Sequence, residues 1–119
     1  ASKEESPHMA IFFDTLKYPH PDSHTYAMYH PNAWGGWRAI SWYNNPEVAK
    51  LLEKARAEPD IARQIDLYKM TQWMITADYP SIYVNNPVHR VAFWDYVKGY
   101  RYIGLLGFDL NPYHLRIER

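Results

Sequence analysis

Between Asn44 and Asp78 the chain spells out two consecutive helices, and this stretch limits the possible folds more than any other. Asn45 can cap the first helix, because its side-chain oxygen accepts a hydrogen bond from an otherwise unpaired amide of the opening turn. Pro46 takes the first helical position, where its missing N–H costs nothing and its fixed φ already suits a helix. Glu47 sets a negative charge at the positive end of the helix dipole. Val48, Leu51, Leu52 and Ala55 recur at i, i+3, i+4 and i+7, while Lys50, Glu53, Lys54 and Arg56 take the other side. That is an amphipathic helix with one apolar stripe. Glu58-Pro59-Asp60 starts a second helix, since proline cannot continue the first without losing a hydrogen bond but can open a new one. Ile61, Ile65, Leu67, Tyr68, Met70, Met74 and Ile75 give it a broader apolar face that lasts to Ala77, and Tyr79-Pro80 ends it. Leu67, Met70 and Met74 are expected in the core. A helical hairpin cannot bury both stripes by itself, so the rest of the chain must supply a surface for it.

With 119 residues, 47% of them hydrophobic, the chain has the size of one domain with a core of its own. Its 13 basic and 13 acidic residues cancel, which argues against nucleic acid or an anionic membrane surface as the main partner. The absence of cysteine removes disulfides, thiolate metal sites and cysteine nucleophiles together. No apolar run approaches the roughly 20 residues of a membrane-spanning helix. The opening residues lack the pattern of a signal peptide, so the expectation is a cytosolic protein or one whose start is missing. Aromatic content is high at 17%, with five Trp and eleven Tyr. Such residues fill cores, and they also line pockets for sugars, peptides and flat ligands.

Residues 1–8 read as a flexible lead-in and 9–119 as the folded body. Met9 to Phe13 is a short apolar run whose length and aromatic content favour a buried strand, hence a sheet covered by helices. Lys17 to His24, with Pro19 and Pro21, is a loop leaving that strand. Thr25 to His30 is expected as a short helix stopped by Pro31-Asn32. Trp34-Gly35-Gly36-Trp37-Arg38 forms a second loop, and Ser41-Trp42-Tyr43 leads into the helix pair. Beyond it, Ser81 to Val84 and Val88 to Trp94 read as strands joined by an Asn85-Asn86-Pro87 turn. Val97 to Tyr100 reads as a further turn, Tyr102 to Leu106 as strand or extended chain, and the tail starts at Asn111-Pro112.

Two sets of side chains could carry chemistry. His20, His24 and His30 lie close in sequence, but Pro21 pushes His20 out of the helical region, which removes a helical His-x-x-x-His clamp and leaves only a loop site. With Asp14, Asp22 and Ser23 they also supply the residue types of a hydrolytic triad. None of them sits in a nucleophile-elbow or metalloprotease pattern, so neither a catalytic residue nor a metal ligand is assigned. Trp34, Trp37, Arg38 and Trp42 form the cluster best suited to a ligand, because they come from turns outside the apolar stripes. Tryptophan offers a flat face with one donor, and arginine a planar fork for carboxylate or phosphate.

The order of these features resembles a known family. The shared features are a strand, the loop with Pro21-Asp22-Ser23, an aromatic and glycine segment, Tyr43-Asn44-Asn45-Pro46-Glu47-Val48 opening a helix, and a second helix reaching Asp78-Tyr79-Pro80. Ile82-Tyr83-Val84 and Val97-Lys98-Gly99-Tyr100 follow. From Met9 to Tyr102 this is similar to the C-terminal part of the family 5 extracellular solute-binding proteins, the dipeptide, oligopeptide and nickel-binding components of ABC importers. The resemblance implies an α/β fold: a C-terminal lobe portion of a two-lobed periplasmic binding protein, with a helical hairpin packed on a small sheet. Residues 103–119 would be the tail returning toward the N-terminal lobe. It implies solute capture by lobe closure without catalysis or cofactor, with a small-molecule or peptide ligand and an ABC permease as partners. The location implied is periplasmic or extracellular, membrane-associated through the transporter or a lipid anchor. In dipeptide-binding members an aspartate that holds the ligand's amino group precedes the proline matching Pro21, and here that position is Lys17. A lysine repels an ammonium, so Lys17, with Tyr18 beside it, suits an anionic or polyhydroxylated ligand instead. The other readings are a stand-alone aromatic carbohydrate-binding module and a histidine metal-dependent hydrolase.

Overall fold

The computed structural model describes residues 2–85, 88, 90–102 and 112–118. Three helices, α1 (Asp22–Tyr29), α2 (Pro46–Ala57) and α3 (Ile61–Asp78), precede a two-stranded antiparallel pair of β1 (Val97–Lys98) and β2 (Arg116–Ile117). Short 3-10 turns occur at Pro31–Ala33 and Pro112–His114. The protein is therefore a small mixed arrangement of helices and a two-stranded sheet.

The helix pair starts and stops where its local chemistry requires. Asn45 Oδ1 accepts the N–H groups of Glu47 at 3.0 Å and Val48 at 3.3 Å, so the cap satisfies two amides of the first turn. Asp60 does the same for α3 by accepting the Arg63 N–H at 2.9 Å. α3 ends on Tyr79, which turns into the left-handed region at φ 52°. α1 begins at Asp22, earlier than the expected Thr25, because Pro21 already has helical angles and serves as its N-cap. It ends at His30, whose extended backbone (φ −89°, ψ 135°) is what the residue before a proline adopts.

The core lies among these helices. Val48, Leu52 and Ala55 of α2, Tyr68 and Ile75 of α3 and Tyr29 of α1 are buried together, with Tyr26, Met28, Tyr43, Leu67 and Met74 packed against them. Each large apolar side chain so covered contributes about 1.5–3 kcal/mol. Thr71 is also fully buried, which it tolerates by donating its hydroxyl to the Leu67 carbonyl at 2.8 Å. The apolar face of α3 is narrower than its composition suggests. Leu67 and Met74 join the core, whereas Ile61, Ile65 and Met70 are exposed, because α1 and α2 cover only one side of the helix.

The strands differ most from expectation. Met9–Phe13 is extended but pairs with nothing as a ladder, and Met9, Ile11 and Phe13 are exposed instead of buried. Ser81–Val84 and the described residues of 88–94 are likewise without a ladder. β propensity stabilises a strand only where a neighbour supplies hydrogen bonds and a covered face. Val97–Lys98, expected as part of a turn, is a strand because Val97 pairs with Ile117 and Lys98 with Arg116. The expected turn residues Asn86 and Pro87, and Ile103 to Leu106, lie outside the described residues. None of the buried core residues comes from β1 or β2, so the helices pack on one another and not on the sheet. The chain is spread out, with a radius of gyration of 18.2 Å. A compact domain of this length has about 13.5 Å.

Gly99 closes the β1–β2 pair. Its φ is +83°, and a Cβ there would stand 2.0 Å from the His114 carbonyl oxygen. Gly99→Ala is therefore expected to open the pair, at a backbone cost of about 1–3 kcal/mol before the clash is counted. Hydrogen exchange checks this: the Glu118 amide, which donates to the Tyr96 carbonyl at 2.8 Å, should lose protection while the helical amides keep theirs.

Candidate functional site

The loops before the helix pair are organised by one buried cation. Arg38 is 8% exposed. It donates from Nη1 to the Ser23 carbonyl and from Nη2 to the Thr15 carbonyl, both at 2.8 Å, and Nη2 lies 2.6 Å from Asp14 Oδ1. Asp14, equally buried, also accepts its neighbour's amide, that of Thr15, at 2.9 Å. Its other oxygen is 2.8 Å from His24 Nδ1 but receives no aligned hydrogen bond, so that contact is one of charge proximity. Arg38 Nε is buried with no partner.

The six residues singled out from the sequence have different fates. Lys17 is exposed, and its backbone N–H donates to Ser23 Oγ at 2.9 Å. Tyr18 is exposed along its ring and donates its hydroxyl to Asp22 Oδ2 at 2.8 Å. Trp37 is 57% exposed, with the Arg38 guanidinium 5.2 Å from its ring centre and Phe12 edge-on at 5.9 Å. Trp34 donates to the Tyr43 carbonyl at 3.1 Å and leans on Trp42 at 5.7 Å. Trp42 donates to Ser6 Oγ at 2.7 Å and has a positive φ of 50°, an uncommon conformation for a large side chain. The structure thus brings Trp37 and Arg38 against the Asp14–Thr15 end of the Lys17 loop and turns Trp34 and Trp42 toward each other. Arg38 itself lies beneath these loops and joins them.

Sequence reasoning missed Asp22. Its carboxylate receives Tyr18 at 2.8 Å, Tyr68 at 3.3 Å and Arg56 at 3.3 Å, so it ties α1 to both other helices. Burial, reinforced by the Asp22 charge, pushes the Tyr68 hydroxyl well above the usual phenol range. No local pattern could have revealed this, since Tyr68 stands 46 positions from Asp22. The histidines are also occupied. His20 contacts Gln64 at 2.9 Å, and His30 stacks on Tyr26 with centroids 4.2 Å apart. Ser23 Oγ accepts the Lys17 amide and has no histidine hydrogen-bonded to it among the described residues. Among the described residues no three His, Cys, Asp or Glu side chains converge as metal ligands.

Two open grooves flank this region. One of about 390 Å³ runs between Leu16, Pro19, His24 and Gln72. The other, about 590 Å³, lies between Lys3–His8 and Ile40–Trp42. At the far end of the helix pair, Tyr43 donates to Asp78 Oδ2 at 2.5 Å and Asn45 to the same oxygen at 2.7 Å. The Tyr43 bond first, then that of Asn45, holds the Asp78 carboxyl below its ordinary range. No family model, curated protein or solved structure matches this chain.

Arg38→Met should cost about 3–5 kcal/mol, because it strands the buried Asp14 carboxylate, and a lower urea midpoint would register the loss. Asp78 contributes stability that is fully present above the ordinary aspartate value and is lost as pH falls through its depressed folded value. Tyr43→Phe should therefore move the Asp78 titration upward toward the ordinary value, as followed by carboxyl NMR.

Proposed function

We propose that this chain is the C-terminal lobe portion of a family 5 extracellular solute-binding protein. In this reading it captures a small polar or peptide-like ligand and presents it to an ABC importer by lobe closure, without bond chemistry or cofactor. Its partners are the ligand, an N-terminal lobe of the same protein and the transporter permease. Its place is periplasmic or extracellular, held near the membrane through the transporter or a lipid anchor.

The observation that carries this reading is the way Arg38 joins the two loops. By holding the carbonyls of Thr15 and Ser23 it fixes both ends of the Lys17–Tyr18 loop, and it underlies the exposed face of Trp37. A rigid edge with an aromatic face and a free ammonium suits a small anionic or polyhydroxylated ligand. The exposed surface supports a lobe that rests on a second one. The accessible area is 9426 Å². A compact protein of this mass exposes about 6,800 Å². Met9–Phe13 and Ile82–Val84 supply much of the apolar excess.

A thermal-shift ligand screen on the protein carrying this chain tests the proposal. Lys17→Asp and Trp37→Ala should each weaken the ligand found by about tenfold, or about 1.4 kcal/mol. Unchanged binding in both variants would remove this face from the site. The isolated chain should bind no peptide at micromolar concentration. A glycan that it binds at that level with tryptophan quenching would favour a free-standing carbohydrate-binding module.

A further inference from the structure

α1 is bracketed by two histidines with the same local geometry. His20 precedes it, with Nδ1 3.2 Å from the Asp22 amide nitrogen, and His30 follows it, with Nδ1 3.1 Å from that of Asn32. Each ring accepts the backbone N–H two residues ahead. The proton positions follow from the other partners. Gln64 Nε2 donates to the Ala55 carbonyl at 2.9 Å, which leaves Oε1 facing His20 Nε2 at 2.9 Å. His20 Nε2 must then carry the hydrogen and Nδ1 the lone pair. At His30 the Nε2 side faces Glu53 Oε1 at 3.4 Å, so the same tautomer fits there.

We propose that His20 and His30 are paired acid-sensitive caps: protonating either ring puts a donor where its neighbouring amide needs an acceptor, and frees the loop on that side of α1. An imidazolium has no acceptor, and two N–H groups pointed at each other repel. His30 is 3% exposed, so water cannot readily take over the Asn32 amide.

The groups around each ring do not restore the lost bond. His20 meets the rings of Tyr18 and Tyr68 and neutral Gln64, while the Asp22 carboxylate nearby is occupied by Tyr18, Tyr68 and Arg56. His30 lies against Tyr26, whose ring also carries Arg56 at 4.1 Å. Glu53 attracts a charged His30, but it sits at Nε2, not Nδ1, and its side chain is 63% exposed and screened by water. His24, between the two on α1, is 2.8 Å from the Asp14 carboxylate and gains from protonation, so its effect has the opposite sign. The freed loops carry Lys17–Tyr18 on one side and Trp34–Trp37 on the other. Acid would thus loosen the proposed ligand face; that consequence rests on the solute-binding reading, and the caps do not.

Asparagine offers a test, because its Oδ1 falls where histidine has Nδ1 and accepts from the same amide at any pH. Amide exchange by NMR, from neutral to acidic solution, is compared in the wild type and in the His20→Asn/His30→Asn protein. The ring titrations are read from the imidazole C–H signals of the same samples. In the wild type, protection of the Asp22 and Asn32 amides, corrected for intrinsic exchange, should fall about tenfold as the adjacent ring titrates. In the variant it should stay level. His20→Asn alone should level only Asp22. Constant wild-type protection through the ring titration, or an equal fall in the variant, overturns the proposal. Should the double variant not fold, the wild-type profile and the single variant decide it.

Discussion

Arg38 carries its charge where 9% of its side chain reaches water, and the loops around it take their shape from how that charge is accommodated. A guanidinium removed from water is costly unless its donors are matched, and here a carboxylate and two backbone carbonyls match them. Those carbonyls belong to Thr15 and Ser23, so neutralising one side chain also sets the span of the loop between them. The fork geometry matters, since a lysine could not address three acceptors in one plane. Trp37 lies against the same guanidinium, so its orientation follows from it as well.

Asp22 plays the matching part inside the helical layer. α1 has no clean apolar stripe: its buried residues are Ser23, Thr25 and Tyr29. Apolar contact alone would leave the rotation of such a helix poorly fixed. The Asp22 carboxylate, at the helix N-terminus where the dipole favours it, takes bonds from Tyr68 of α3 and Arg56 of α2. The opposite end is held by Tyr29, whose hydroxyl donates to Ser81 at 3.0 Å and meets that of Tyr83 at 2.7 Å. Polar bonds thus locate α1, while apolar packing joins α2 to α3.

The segment after α3 shows what these contacts leave unmade. Tyr29 fixes Ser81 and Tyr83, yet Ile82 and Val84 remain exposed. These are side chains that gain free energy from a cover, and the helices already have theirs. The solute-binding reading and this uncovered surface are consistent with each other, because a lobe in a two-lobed protein has faces that meet the rest of the molecule.

The helix pair could be read from the sequence almost residue by residue. Its instructions are local: Asn45 and Asp60 cap amides within one turn, Pro46 and Pro59 stand where proline fits, and the α2 stripe of Val48, Leu52 and Ala55 is the one that is buried. The N-terminal limit of α1 was displaced because Pro21 was taken as part of the loop instead of as its cap. Met9–Phe13 and Ser81–Val84 have strand composition without strand pairing, because a ladder depends on a neighbour that no run of residues specifies. Trp34, Trp37 and Trp42 were visible as an aromatic cluster, but which of them faces solvent was not. The sequence by itself determined the helices, whose hydrogen bonds close within a few residues. Only the tertiary structure decided that Arg38 is a buried brace, that Asp22 is the joint of three helices and that Val97 pairs with Ile117, because each of those depends on partners brought together from distant parts of the chain.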